Sequence, residues 1–422
     1  MKILLQQATV SDPSSPFNGH VADILIDDGS IISIAKNIDA SDARIVNMKG
    51  KYVSPGWMDS FAHFCDPGDE YKETIETGIK SAAAGGFTSV AVIPNTNPVV
   101  QTKSQVEYVI SRSRNQIVNV LPMGAVSKSC EGKDLAEMYD MRSAGAIAFT
   151  DGLNAIQSAG ILLKALQYVK AFNGLVLQIP DDTSINPHGL MNEGIISTTL
   201  GLPGKPAMAE EIMVARDIKL ARYTESRLHF AGVSSAKSLE YIQRAKEGGI
   251  QISCSVTPYH LYFSDEDIKG YDTHLKVNPP LRTPKDRNAL RKALQEGIID
   301  TVSSFHIPQD WDHKICEFEY ARPGMIGLET AFAATWSVMN KLWSVDDWVN
   351  TIAIRSRNIF GLAIPSIKEG SKAELTLFNP NHSFVFTQEM ICSRSKNSAF
   401  IGKELKGAVL GVINNKQLFL NP

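Results

Sequence analysis

The sequence predicts an α/β protein: a (β/α)8 TIM barrel over residues 52–368, joined to a small β-sandwich domain built from both chain ends, residues 1–51 and 369–422. Three observations predict it. Short apolar runs of β-type recur about 30–45 residues apart, and there are eight of them. Between most of them lie stretches with apolar residues at three- and four-residue spacing, the helical period. The two ends carry short alternating runs separated by turn residues instead. A doubly wound open sheet is the competing architecture for the central region.

The elements follow in order. Ile24–Ile26 ends at the turn signal Asp27-Asp28-Gly29. Tyr52–Met58 reads as the first barrel strand, and Lys72–Ala84 as a helix stopped by Gly85-Gly86. Thr88–Ile93, Ile117–Leu121 and Ala146–Phe149 are the next three strands. The helix Gln157–Ala171 stops before Gly174 and leads to Leu175–Ile179. Ala209–Arg222 leads to Leu228–Val233, and Ser238–Glu247, stopped by Gly248-Gly249, leads to Ile250–Val256. Pro284–Glu296 carries proline at a helix start and glycine (Gly297) at its end, before Ile298–Ser303. Beyond the barrel, Glu374–Phe378 precedes Asn379-Pro380-Asn381, and Leu410–Ile413 precedes Asn414-Asn415, a hairpin signal.

Composition narrows the function classes. The chain has 422 residues, 43% hydrophobic and 21% charged, enough apolar material for a large buried core. A net charge of −3 offers no basic field, so nucleic acid and anionic membranes are not expected partners. No apolar run is long enough to span a bilayer, and the first residues turn polar too soon for a signal peptide. Five scattered cysteines, with no CxxC, fit a reducing cytoplasm.

In a barrel of this type chemistry sits at the C-terminal ends of the strands. Those places hold Pro55–Gly68, Pro94–Pro98, Phe149–Gly152, Thr257–His260 and Phe305–Gln309, with Asn278–Arg282 on a later loop. These segments carry a resemblance that runs over nearly the whole chain. Pro55–Gly68 follows PGxxDxHxHxRxPG in outline, Gly85–Val99 follows GGFTxVxxMPNTxPV, and Phe149–Gly152 resembles FxDDG. Asn278–Arg282 is NPPLR unchanged, and Pro323–Ala331 matches PGxIGLxTA. The set is similar to the dihydroorotase branch of the cyclic amidohydrolases. That resemblance implies a barrel with a β-sandwich and a binuclear zinc site that hydrolyses a cyclic amide.

The departures decide the functional expectation. By resemblance the six ligand positions fall at Phe61, His63, Asp151, Gln178, Gly232 and Phe305. A phenyl ring has no lone pair to donate and glycine has no side chain. The neutral amide of Gln178 is a poor zinc ligand beside imidazole. Only His63 and Asp151 keep ligand chemistry, fewer than the three protein ligands usual for one catalytic zinc. Phe305 stands where the aspartate that also shuttles the proton would be. On the substrate side, Cys65 replaces an arginine that would grip a carboxylate bidentately, and Gln309 replaces the histidine of DHAPH. Asn95 and Asn278 persist, either as substrate contacts or as turn residues beside proline. His260 and His306 read as structural hydrogen-bonders, and His229 faces the opposite side of its strand from Gly232.

The expectation is an inactive dihydroorotase-like member without zinc or any other cofactor. By resemblance it would support aspartate transcarbamoylase as a structural partner, with a homodimer as the unit. An active enzyme with a reduced metal site, and a non-enzymatic scaffold or ligand-binding protein outside pyrimidine synthesis, are the alternatives. A hydantoinase-type site is disfavoured because Asp151 stands where those enzymes use a carboxylatable lysine.

Overall fold

The computed structural model describes residues 2–422. Strands from both ends of the chain hydrogen-bond into one eight-stranded sheet. Its order from one edge is Gln417–Leu420, Glu404–Asn414, Leu375–Val385, Tyr52–Pro55, Ile3–Val10, Val21–Asp27 and Ser30–Ala35. Arg44–Asn47 pairs in parallel with Ile3–Val10. Two of the three turn signals close hairpins, while Asn379-Pro380-Asn381 lies inside the strand Leu375–Val385, where its pairing shifts register. Asp28 and Gly29 sit at φ +44° and +78° between paired Asp27 and Ser30, the doubly left-handed turn that matches strand twist. Asn415 and Lys416, at φ +48° and +62°, do the same between Asn414 and Gln417. Inward residues of this sheet, among them Leu5, Ile24, Leu377 and Ile413, make a separate apolar core.

The expected strand Tyr52–Met58 divides at Gly56. Tyr52–Pro55 joins the terminal sheet, antiparallel to Leu375–Phe378, while Trp57–Ala62 belongs to the central region. Crowding explains the break: a Cβ on residue 56 would lie 2.2 Å from Thr88 Oγ1. The sheet therefore takes in residues 52–55. Arg357 bolts the two parts together, donating to the Gly56 carbonyl at 2.6 Å and pairing with Glu374. Trp57, wholly buried, packs its ring 5.0 Å from Phe332, 5.3 Å from Trp348 and 5.2 Å from Phe378.

In the central region every strand pairing is parallel. Trp57–Ala62 pairs with Phe87–Val92, which pairs with Asn119–Pro122. Phe149 bridges Gly124 on one side and Val176 on the other. Leu175–Gln178 then pairs with Arg227–Phe230, next comes Ile252–Val256, and last Thr301–Val302. A bridge from His306 to Ala62 returns the succession to its start. Two expected strands shrink, Ala146–Phe149 to the Phe149 bridges and Ile298–Ser303 to Thr301–Val302. Their flanking backbone still bonds the neighbouring strands, Ile147 N–H to Pro122 O and Ser303 N–H to Val256 O.

The helices stand close to their expected places: Ile75–Ala84, Ala159–Lys170, Met208–Thr224, Ala236–Glu247 and Pro284–Gln295. Thr74, Ser158, Ser235 and Thr283 cap them through side-chain oxygens. Among the described residues no helix is long and apolar enough to cross a membrane.

Candidate functional site

The segments following the parallel strands converge on one end of the ring, and the six positions singled out in the sequence lie there. Phe61 and Phe305 are buried and stacked, centroids 4.3 Å apart with planes 16° from parallel. Phe305 holds φ +46°, a conformation costly for a bulky residue. Gly232, at φ +71°, closes in from behind: a Cβ there would lie 2.5 Å from Phe305 Cζ. These three positions form an apolar plug. Burying each ring contributes on the order of 2 kcal/mol, and the stack roughly another 1 kcal/mol.

His63 is buried with both ring nitrogens engaged. Nε2 lies 3.0 Å from the Asn95 carbonyl, so it carries the proton, and Nδ1 faces Cys65 Sγ at 3.5 Å as acceptor. Burial, with Lys72 nearby, pushes the imidazole down to about 4 and keeps it neutral. The same burial drives the Cys65 thiol up, so this Cys–His contact is a neutral pair and no nucleophile.

Asp151 is spent on the neighbouring loop, the one after Asn119–Pro122. It accepts from the Ser127 N–H at 2.8 Å and from the Ser127 hydroxyl. Burial raises its carboxyl above the ordinary value in spite of those bonds. Gln178 exchanges two 3.2 Å hydrogen bonds with the Ile156 backbone. Among the described residues no three His, Cys, Asp or Glu side chains converge in a way that would hold a metal ion. The donors present do not fit a binuclear zinc centre.

The positions expected on the substrate side are also wired into the protein. Asn95 donates to the Asp151 carbonyl and accepts from Leu153 N–H, both at 3.0 Å, bracing one loop against another. Asn278 reaches Asp181 at 3.4 Å, and Asp181 pairs with Lys205. Gln309 donates to the Pro323 carbonyl at 3.0 Å, leaving its buried Oε1 without a partner. His260 bonds Thr257 Oγ1 at 2.8 Å and Pro280 O at 3.2 Å, the structural role expected for it. His229 lies between the Ser253 and Ser255 hydroxyls, and Ser255 Oγ also accepts from Gly232 N–H at 3.3 Å, so the two residues meet one hydroxyl instead of parting to opposite sides.

Three groups escaped the sequence reading. Asp59 accepts from Ser304 N–H at 2.6 Å and Ser304 Oγ at 2.9 Å, tying the first strand to the last, and burial raises it to about 6. Glu73 meets His306 at 3.2 Å with both side chains fully buried. His306 Nδ1 accepts from Gly327 N–H at 3.3 Å, so Nε2 is the donor to Glu73. The same carboxylate binds the Ser393 hydroxyl and Arg394 N–H. Burial alone would raise the Glu73 carboxyl, but the hydrogen bonds it accepts from His306, Ser393 and Thr77 outweigh it and leave it below the ordinary value. Arg282 holds Ser234 Oγ at 3.1 Å, Asn192 Oδ1 at 3.1 Å and Lys205 O at 3.0 Å. Arg282 stood in a quoted motif, and only its contacts were hidden. Asp59 likewise is the aspartate of the quoted PGxxD motif, whereas Glu73 carried no signal, because His306 and Ser393 lie more than two hundred residues away.

Comparisons with known proteins agree with this geometry in fold. Residues 50–238 match a family model described as dihydro-orotase-like. A protein named dihydroorotase from Acetivibrio thermocellus is 40% identical, over 98% of this chain and 97% of its own. Another of that name, from Caldanaerobacter subterraneus, is 42% identical over 97% of this chain and 95% of its own. Among solved structures, L-hydantoinase (dihydropyrimidinase) from Arthrobacter aurescens superposes with TM-score 0.86, covering 99% of this chain and 95% of that one at 22% identity. Dihydropyrimidinase from Brevibacillus agri gives 0.84 at 22% identity, over 100% of this chain and 95% of that one. At that identity the likeness is one of fold.

Proposed function

The chain belongs to the dihydroorotase-like family, and from that premise we propose that it is a member without catalysis, a structural partner of aspartate transcarbamoylase. The observation that carries the reading is the plug: Phe61 stacked on Phe305, with Gly232 against the second ring. Aromatic carbon fills the place where the family resemblance puts ligands and the proton-shuttling carboxylate. The two remaining ligand-type residues, His63 and Asp151, already have protein partners. The ring of parallel segments is read as the (β/α)8 barrel of the family, closed through the His306–Ala62 bridge. What selection keeps is then the folded surface, since most random substitutions destabilise by about 1 kcal/mol and an unused fold decays. A homodimer is the expected unit, and a reducing cytoplasm suits five free cysteines.

Elemental analysis of the purified chain, paired with a dihydroorotate hydrolysis assay, tests the loss of catalysis. The expected result is no tightly held stoichiometric zinc and no turnover above a metal-stripped control. Partnership is tested by co-expression with the host's aspartate transcarbamoylase and size-exclusion chromatography with light scattering, where the two are expected to co-elute. Separate elution at micromolar concentration, with the transcarbamoylase equally active alone, overturns it.

A second reading is an active cyclic-amide hydrolase with a reduced metal site. Identity of 40% to a protein named dihydroorotase favours it. Dihydroorotate turnover that rises with added zinc would establish it over the first.

A further inference from the structure

We propose that a cavity between the terminal sheet and the ring binds a small amphipathic organic cation, an arylalkyl amine or a group of like chemistry. The cavity is about 310 Å3, within the span of small-molecule sites. It is walled by the Leu375–Val385 and Glu404–Asn414 strands, the loop that follows the first of them, and the ring helix Ala331–Met339.

Its apolar wall includes Ala333, Phe384, Phe386 and Leu410, with the exposed Met390 at the rim. The polar groups on that wall are nearly all acceptors. Glu329 accepts at Oε1 from the Cys392 and Ser393 N–H groups, both at 2.9 Å, which fixes the carboxylate. Its other oxygen, Oε2, is buried and has no hydrogen-bond partner. A buried acceptor left so costs desolvation energy that a donor would recover. Asn421 commits its amide N–H groups to Ala84 O and Val409 O, which leaves its carbonyl as the free end. Glu389 adds a second carboxylate at the rim. Among the described residues no lysine or arginine lines the cavity; its one basic side chain is His382, exposed and stacked on Phe384. The nearby Lys396 is turned onto the Ile391 and Ser393 carbonyls at 2.6 and 2.9 Å.

Two carboxylates against a single exposed imidazole, that of His382, favour positive charge, and the rings of Phe384 and Phe386 suit an apolar body. An anion would meet uncompensated repulsion. The ligand is therefore a donor-rich cation with an apolar body.

Calorimetric titration of the full chain with phenethylamine tests the site, with phenethyl alcohol as the neutral analogue and phenylpropionate as the anionic one. The amine is expected to bind saturably, the alcohol about tenfold more weakly, and the acid not at all. Glu329→Gln should abolish the preference for amine over alcohol. Ala408→Trp fills the space from a half-exposed strand position without touching Glu329, and should remove amine binding while the chain stays folded. Because Glu329 also anchors a loop, Glu329→Gln can unfold; the analogue series on the native chain and Ala408→Trp then decide. No saturable amine binding, equal affinity for amine and alcohol, or unaltered binding in Ala408→Trp each overturns the proposal.

Discussion

Gly232 and Phe305 exclude one another's larger alternatives: a Cβ on residue 232 would lie 2.5 Å from Phe305 Cζ. The two positions are therefore coupled: residue 232 cannot regain a side chain while the Phe305 ring stays in place. Gly232→His places a branched side chain at φ +71°, costing about 1–2 kcal/mol in backbone strain, and overpacks the ring for about 1–3 kcal/mol more. Adding Phe305→Asp removes the clash, so the double variant is expected to be more stable than the sum of the singles. Urea unfolding of the two singles and the double measures the coupling. Strictly additive free energies would show that the ring does not block residue 232.

Phe61→Ala is expected to cost about 3–5 kcal/mol, the usual range for emptying a buried aromatic site. Combined with Phe305→Ala, the loss should fall short of the sum by roughly 1 kcal/mol, the worth of the stack. Phe61→His, the substitution nearest to the family pattern, should lower stability and give no dihydroorotate turnover. Turnover in that single variant would mean that the remaining positions suffice for catalysis.

Chelator should leave the melting temperature unchanged. Apolar contacts fill the centre of the site, and the protein's own hydrogen bonds already engage His63 and Asp151. Differential scanning calorimetry with and without EDTA checks this, and a fall of several degrees would reveal a structural metal.

The pH dependence of stability has two opposing parts. Burial depresses His63 and His260 to about 4 and His229 to about 3. Their contribution is whole above the unfolded value of 6.5 and is lost as pH falls through the folded values. Asp59 and Asp217 run the other way. Burial raises each from 3.8 to about 6, so the folded state takes up the proton first and gains stability as pH drops from 6 to 3.8. Asp59→Asn removes one of these gains. Its urea midpoint should therefore fall more steeply than that of the parent between pH 6 and 4. Parallel curves would place the Asp59 proton elsewhere.

Glu73→Gln should weaken the joint between the ring end and the 391–397 loop. It replaces a charged acceptor of the Ser393 hydroxyl, Arg394 N–H and His306 with a neutral one, and a charged hydrogen bond is worth about 1.5–3 kcal/mol. Faster amide exchange in 391–397, with little change in the terminal sheet, is the expected readout. Uniform acceleration throughout the chain would show a global loss of stability instead of a local one.

Periodicity, turn chemistry and residue type were legible in the sequence because each is a local property. The alternation of strand and helix, the helix-stopping glycines, and the turn signals at Asp27-Asp28-Gly29 and Asn414-Asn415, the latter one residue ahead of the turn itself, follow from neighbours a few residues apart. So does the absence of metal-ligand chemistry at Phe61, Gly232 and Phe305, which needs only the identity of the side chain. Tertiary structure alone decided the rest. The strand expected to begin the barrel broke at Gly56 because its first half finds its partner in Leu375–Phe378, at the other end of the chain. Glu73 and His306 meet across 233 positions, and Asp59 and Ser304 across 245. Burial sets the protonation of Asp59 and His63, and it exists only once those distant segments pack. Nothing in the residues around position 61 shows that its ring stacks on residue 305, because that contact forms only when the first and last parallel strands come side by side.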